Sequence, residues 1–117
     1  MSYKTFDGTA QTFSVNKSNT PTVETLGTPT GKHQLTAAST SASTDLTANI
    51  TRISIYCRSN DARYEIGTTA AALTASASTS HFIAKDERLD IKVPLNGRIA
   101  YIRDASADAT LEITELA

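Results

Sequence analysis

The sequence predicts an all-β protein: an antiparallel β-sandwich, of the jelly-roll or immunoglobulin-like kind, with an extended N-terminal arm. Short runs in which apolar and polar residues alternate recur about every 8 to 12 residues, and turn-forming residues separate them. Helices of useful length are not predicted, because the alanine-rich runs are interleaved with Ser and Thr, whose side chains compete for backbone hydrogen bonds. About seven short strands therefore account for the chain.

The apolar residues divide the chain into an arm, residues 1–31, and a sandwich domain, residues 32–117. Of the 23 Leu, Ile, Val and Phe residues, 7 lie in residues 1–49 and 16 in residues 50–117, so the core belongs mainly to the second part. We expect the arm to be either a disordered tail or a segment that becomes ordered on a partner. Its predicted partner-binding anchors are Tyr3, Phe6, Phe13 and Val15.

Four strands are predicted in the first half of the domain. Residues 34–49 are polar and of low complexity, and two short strands fit there. The next strand is the clearest, because Ile53, Ile55 and Cys57 alternate with polar residues and therefore share one buried face. A short strand follows the turn at residues 59–61. The four strands span residues 35–38, 45–48, 50–58 and 63–67.

The second half of the domain contains a long loop and further strands. Residues 68–80 consist of Ala, Ser and Thr with one Leu, and we expect a loop that includes an edge strand. A strand over residues 81–84 follows. The last strand covers residues 109–116, where Leu111 and Ile113 alternate with polar residues and indicate one buried face.

The most regular part of the chain predicts a β-hairpin. Apolar and charged residues alternate over residues 88–93, and Pro94 ends this strand because it has no N–H to give a sheet. Asn96 and Gly97 tolerate the positive φ of a type I′ turn, and residues 99–103 run back. The expected pairs are Val93 with Ala100, Ile91 with Ile102 and Asp90 with Arg103.

This hairpin has apolar side chains on both faces. The predicted register places Val93, Ile91 and their partners on one face, and Ile99 and Tyr101 on the other. This leaves two interpretations. The strand is either buried on both faces within one domain or covered on its second face by another subunit. We predict a subunit interface that contains Ile99 and Tyr101 together with Arg98 and Arg103, because arginine suits bidentate ion pairs at interfaces.

Composition excludes several classes of partner. The net charge of −1 and the pI of about 6.1 give no general electrostatic case for nucleic acid or an anionic membrane. No apolar run approaches the roughly 18 residues of a membrane span, and the first residues lack the apolar region of a secretory signal. Since one cysteine cannot form an internal disulfide, we expect synthesis in a reducing cytoplasm.

No motif in the chain predicts catalysis, a metal or a cofactor. Cys57 lies in a strand alternation, so we expect a small buried apolar group and not a nucleophile. His33 and His81 are too far apart in sequence for a zinc motif. Carboxylates from Asp104 onward have the spacing of a calcium loop, but Ala109 stands where the sharp turn needs glycine. We therefore expect no enzymatic activity.

From residue 50 to residue 117 the chain resembles small structural proteins of tailed-bacteriophage virions. The resemblance is carried by a sequence of strand patterns along this part of the chain. These are Ile53–Cys57, Arg63–Thr68 with the Ala/Thr/Ser run after it, His81–Ile83, Arg88–Pro94, Ile99–Arg103 and Leu111–Leu116.

The resemblance implies a head decoration, or cement, protein on the capsid surface of the virion, made in the host bacterial cytoplasm. It implies the major capsid protein as partner and self-association, as a homotrimer, with the arm lying over the shell. The alternative is a receptor- or glycan-binding β module associated with a tail fibre or head fibre. In that case Tyr3, Tyr56 and Tyr101 are the aromatic residues available to stack on sugars.

Overall fold

The computed structural model describes residues 27–117, and this part of the chain contains eight β-strands and no helix. The strands follow the runs of alternating apolar and polar residues, since alternate side chains of a strand point to opposite faces. Their bounds are β1 Pro29–Ala37, β2 Ala42–Asp45, β3 Arg52–Arg58, β4 Ala62–Thr68, β5 His81–Ile83, β6 Arg88–Lys92, β7 Gly97–Arg103 and β8 Ala109–Leu116.

The strands form two antiparallel sheets of four strands each, packed into a β-sandwich. The first sheet has the order β1-β8-β3-β6, and the second has the order β2-β7-β4-β5. Strand β1 therefore pairs with β8, β2 with β7, β3 with β6 and β4 with β5. This nested pairing is the topology of an eight-stranded jelly roll. The predicted antiparallel sandwich is confirmed, and the strand order selects the jelly-roll alternative.

The core lies between the sheets and is built mainly from the central strands of each. Five almost completely buried residues belong to this core: Ile53 and Ile55 of β3, Ile99 of β7, and Leu111 and Ile113 of β8. Removing each such side chain from water contributes about 1.5–3 kcal/mol. The buried faces predicted from the alternation in β3 and β8 are confirmed.

The predicted hairpin of residues 88–103 is wrong. Strand β6 pairs with β3, where Ile91 lies opposite Ile53, whereas β7 pairs with β2 and β4 in the other sheet. Pro94 ends the pairing of β6 as expected. Asn96 has a φ of 53°, but its N–H donates to the carbonyl oxygen of Ala48 at 3.0 Å. The turn residues therefore carry the chain across from one sheet to the other.

Three other boundaries differ from the prediction. Strand β1 begins at Pro29, so residues 29–31 of the predicted arm belong to the first sheet. Strand β2 lies at Ala42–Asp45 and overlaps the predicted strand, residues 45–48, in one residue. Residues 69–80 contain no strand, and the expected edge strand is absent there.

Candidate functional site

The predicted partner-binding anchors of the arm lie outside the described residues. These anchors are Tyr3, Phe6, Phe13 and Val15. Their role in binding a partner stays a prediction. The described chain starts at Gly27, next to the last residue: Thr28 and Ala117 exchange two backbone hydrogen bonds of 2.9 and 2.8 Å. The first and last described residues therefore lie side by side.

The residues predicted at a subunit interface divide into two kinds. Ile99 and Tyr101 point between the sheets and are 0% and 7% exposed. Ala100 points to the opposite face of β7 and is also fully buried, so a single chain already covers both faces of this strand. Arg98 and Arg103 are partly exposed at the surface, and their place in a subunit contact stays a prediction.

Both surface arginines are already in ion pairs within the chain. Arg98 Nε lies 2.7 Å from Asp45 Oδ1, and Arg103 Nη1 lies 2.8 Å from Asp108 Oδ1. The two carboxylates are about half exposed, so solvent screens each pair and limits its contribution to stability to about 0–1 kcal/mol. A carboxylate of a partner protein could therefore replace Asp45 or Asp108 in its ion pair at a small cost in free energy.

Residues 69–80 form a loop that covers the outer face of the second sheet. Arg98 Nη1 donates to the carbonyl oxygen of Ala71 at 3.0 Å, and the N–H of Ala75 donates to Ser41 Oγ at 2.8 Å. The side chain of Leu73 packs over Gly67, where a Cβ would lie 3.1 Å from Leu73 Cδ1. This loop explains why Ala100, which points away from the core, is nevertheless buried.

A third anchor of the same loop is Arg63. Its Nη1 donates to the carbonyl oxygen of Ser80 at 2.9 Å, and its Nε lies 2.8 Å from Asp104 Oδ1. The guanidinium also lies 5.2 Å from the centroid of the Phe82 ring, which is 45% exposed on the short edge strand β5. Arginine side chains of β4 and β7 thus hold the loop of residues 69–80 against the outer face of the second sheet.

The outer face of the first sheet carries a different set of side chains and a net positive charge. Alternation in its four strands places five cations and two carboxylates on this face, a net charge of +3, although the whole chain has −1. We call this surface the basic face. Its charged residues are Lys32, Arg52, Arg58, Arg88, Lys92, Asp90 and Glu112.

An open groove of about 380 Å³ crosses the basic face. Small hydroxyl residues of the two central strands lie along it, with apolar residues at the β1 side and charged residues at the β6 side. The lining residues are Gly27, Pro29, Ser54, Arg88, Asp90, Thr114 and Leu116.

Arg88 is held against the sheet by two contacts. Its Nη1 donates to Ser54 Oγ at 3.1 Å, and its guanidinium lies 5.2 Å from the centroid of the Tyr56 ring. The Tyr56 hydroxyl donates to Asp86 Oδ1 at 3.1 Å, and this hydrogen bond to a carboxylate raises the pKa of the phenol. The backbone of Asp90 pairs with Ser54 in the sheet, but its carboxylate has no hydrogen bond or ion pair with any residue in the described range.

A buried carboxylate fastens the edge strand β1 to the rest of the sandwich. Glu115 is 1% exposed, and its oxygens accept hydrogen bonds from the Thr47 N–H at 2.8 Å, the Thr47 hydroxyl at 2.6 Å and His33 Nε2 at 3.0 Å. Burial alone would raise the pKa of Glu115, but these hydrogen bonds outweigh it and hold the pKa below its ordinary value. Gly31 leaves the space that the carboxylate occupies.

The sequence held a signal for this carboxylate. Glu115 has the same parity in the strand as Leu111 and Ile113, so the period of two predicts that it points inward with them. An acidic residue at an inward position needs hydrogen-bond donors around it. Which donors these are, His33 and Thr47, follows only from the packing of β1 and the β2–β3 connection against β8.

Cys57 is buried as predicted, with its thiol hydrogen-bonded to the carbonyl oxygen of Asn60 at 3.0 Å. Burial raises the pKa of this thiol to about 11, and the nearby carboxylates of Asp61 and Glu87 act in the same direction. The thiolate, which is the nucleophilic form, is therefore disfavoured at neutral pH.

Comparison with protein-family models, with curated proteins and with solved structures finds no match to the chain. Within residues 27–117, no three His, Cys, Asp or Glu side chains are grouped to hold a metal ion. The same residues include no helix with the length and hydropathy needed to cross a membrane. Inference about function therefore rests on the surfaces of the sandwich described above.

Proposed function

We propose that this chain is a structural protein of a bacteriophage virion that decorates and stabilises the capsid by binding the lattice of the major capsid protein. It acts at the capsid surface, without catalysis, as a homo-oligomer such as a trimer. The observation that supports this most is the free edge of β1. This nine-residue strand pairs only with β8 among the described strands and is continuous with the arm.

A free strand edge offers a simple way to bind another protein. Its unpaired N–H and C=O groups can accept an added strand, with the main chain supplying affinity and alternate side chains supplying specificity. Here the edge is held in place before binding, because Glu115 bonds His33 of β1 and Thr28 bonds Ala117. Binding to a rigid edge loses less conformational entropy than binding to a mobile one.

The arm adds a second, independent contact. Its isolated apolar side chains, Phe13 and Val15 among them, suit pockets on a neighbouring protein, since a few anchors carry most of the binding energy. Linking the arm to the edge strand makes the second contact intramolecular, so two weak contacts give high avidity. On a symmetric shell the same pair of contacts is repeated around each symmetry axis.

The test uses purified particles of the phage that encodes the chain, with the native copies removed. Protein that lacks residues 1–26 keeps β1 intact, because that strand begins at Pro29. We expect its occupancy on the shell to fall at least tenfold, and Phe13→Ser with Val15→Ser to have a similar effect. The matched control is Leu95→Ser, which changes a side chain that is 59% exposed in the β6–β7 connection.

Wild-type occupancy of the truncated protein would reject the arm as an anchor. Copy number in native particles decides the location: a count that matches the capsid lattice supports decoration. A count that matches a single vertex would favour the fibre-associated alternative instead.

A further inference from the structure

We propose that the groove on the basic face binds a carboxylated polysaccharide, a polymer of sugars that carry both hydroxyl groups and carboxylates. This binding goes beyond attachment to a capsid and does not depend on it. The groove belongs to the first sheet, whereas the loop of residues 69–80 lies on the outer face of the second sheet.

The shape of the groove suits an extended polymer. It runs across the strands of the sheet, from Pro29 at the β1 side to Asp90 at the β6 side, and is open to solvent along its length. Ser54 and Thr114, which lie opposite each other on the central strands, are small and leave a channel between the larger side chains. A volume of about 380 Å³ is within the usual range of ligand sites, about 300–1,000 Å³.

The polar groups of the groove match sugar hydroxyls. Asp90 is an exposed carboxylate with no partner in the described chain, so its oxygens are available to accept hydrogen bonds from two hydroxyls. Ser54 and Thr114 add hydroxyls that both donate and accept. Pro29, which is exposed at the edge of the groove, supplies an apolar surface for the C–H groups of a sugar ring. Donors, acceptors and apolar contacts are all needed for a hydroxyl-rich ring.

The positive charge of the face indicates that the sugar is acidic. Arg88 uses one nitrogen on Ser54 and keeps further N–H donors in a fork that fits a carboxylate. Lys32 and Lys92 flank the groove on the same face and are exposed. The strands of this face carry a net charge of +3, which Asp86 beside Tyr56 lowers to +2. On a chain of net charge −1, this face is the part that attracts a polyanion.

Two features favour a polysaccharide over a nucleic acid. Asp90 stands in the groove itself and accepts hydrogen bonds from hydroxyl groups, which a polysaccharide presents on every ring and a DNA backbone lacks except at its ends. Single-stranded nucleic acids also need exposed aromatic faces on which bases stack. The aromatic ring nearest the groove, Tyr56, has one face covered by the guanidinium of Arg88.

The test is a binding titration of the full chain with oligomers of galacturonate, hyaluronate and alginate. We expect at least one of them to bind saturably, and its methyl-esterified form to bind at least tenfold more weakly. A DNA duplex with the same number of charges serves as the polyanion that lacks sugar carboxylates. Measurements at low and high salt separate the electrostatic part of the affinity.

Two variants distinguish a built site from general charge attraction. Asp90→Asn removes a negative charge, so simple attraction predicts tighter binding, whereas the proposal predicts a loss of at least fivefold. Arg88→Gln should weaken binding at least tenfold. Lys85→Gln is its matched control, because it removes the same charge from the exposed turn after β5. Thermal unfolding of each variant confirms that it is folded.

Failure of all three oligomers to bind would overturn the proposal. It would also be overturned if the DNA duplex bound as tightly as the best oligomer, or if Asp90→Asn bound equally well or better. None of these outcomes bears on capsid occupancy, which tests the separate proposal above.

Discussion

Single side chains decide how the edge of this sandwich is closed. Glu115 lies where the alternation of β8 would normally place an apolar residue, and it is satisfied by Thr47 and His33 from two different segments. Removing a donor from a buried carboxylate costs more than the bond contributes, because the charge then remains without a partner. This cluster therefore fastens β1 more firmly than an exposed ion pair would.

Gly31→Ala is expected to destabilise the protein by about 1–3 kcal/mol, because the new methyl group would overlap the Glu115 carboxylate. The matched control is Gly67→Ala, whose Cβ would meet only the flexible end of Leu73 at 3.1 Å. Urea unfolding of both variants measures the difference. An equal effect of the two substitutions would contradict the packing of Glu115 against β1.

Cys57 is expected to react with alkylating reagents only after unfolding. Burial raises the pKa of its thiol to about 11, so native protein at pH 8 holds little thiolate. The alkylation rate measured by mass spectrometry should follow the unfolded fraction as urea is added. Rapid labelling of native protein in the absence of urea would show that the thiol is accessible and reactive.

At the scale of elements, the two sheets differ in what lies on their outer faces. The second sheet is covered by residues 69–80, a stretch rich in Ala, Ser and Thr that offers small side chains and many hydrogen bonds. Its contacts to Ser41, Arg63 and Arg98 come from three different elements. On the outer face of the first sheet, the charged side chains of Lys32, Arg88 and Lys92 are exposed. A ligand or partner surface is therefore expected on the first sheet and not on the second.

Ser41→Ala is expected to loosen the loop of residues 69–80 and to cost about 1–3 kcal/mol, because the buried N–H of Ala75 loses its acceptor. Amide hydrogen exchange should accelerate within the loop while β3 and β8 stay protected. Ser43→Ala, an exposed position on β2, is the matched control and should be neutral. Unchanged exchange in Ser41→Ala would mean that the loop is held by its arginine contacts alone.

At the scale of the whole molecule, the jelly roll joins distant parts of the chain. Six of the seven connections between consecutive strands cross from one sheet to the other, and only β4 and β5 form a local hairpin. Folds dominated by such non-local pairing fold slowly, in about milliseconds to seconds for two-state proteins. Strands β1 and β8, from the two ends of the described chain, must meet before the first sheet is complete.

The contact between these two ends is expected to make the fold sensitive to acid. The pKa of Glu115 is lower in the folded protein than its ordinary value of 4.5, so the folded state binds fewer protons than the unfolded state. The resulting stabilisation is present above about pH 4.5 and is lost as the pH falls through the folded pKa.

Glu115→Gln should be less stable than wild type at pH 7 by about 1–3 kcal/mol, because the charge-assisted hydrogen bonds are lost. It should also lose less stability than wild type between pH 5 and pH 3. Urea midpoints across this range measure both effects. Glu112→Gln is the control, because it removes a carboxylate from the outward side of the same strand and leaves the hydrogen bonds of Glu115 in place. A wild-type slope in Glu115→Gln would assign the acid sensitivity to other carboxylates.

Local patterns in the sequence were sufficient for the fold class and for the buried faces of β3 and β8. The period of two along a strand is a property of the backbone, so Ile53, Ile55, Leu111 and Ile113 could be placed on inward faces without any knowledge of pairing. The same reasoning placed Cys57 in the core. It could have placed Glu115 there as well.

Strand pairing was decided only by the tertiary structure. Asn96 and Gly97 are compatible with a hairpin, but the core is closed only if β6 and β7 lie in different sheets, so the connection crosses the sandwich. For the same reason the groove could not be foreseen, since Pro29, Ser54 and Asp90 come from strands distant in sequence. Local alternation determines which way a side chain points, whereas burial of both sheets together determines which strands become neighbours.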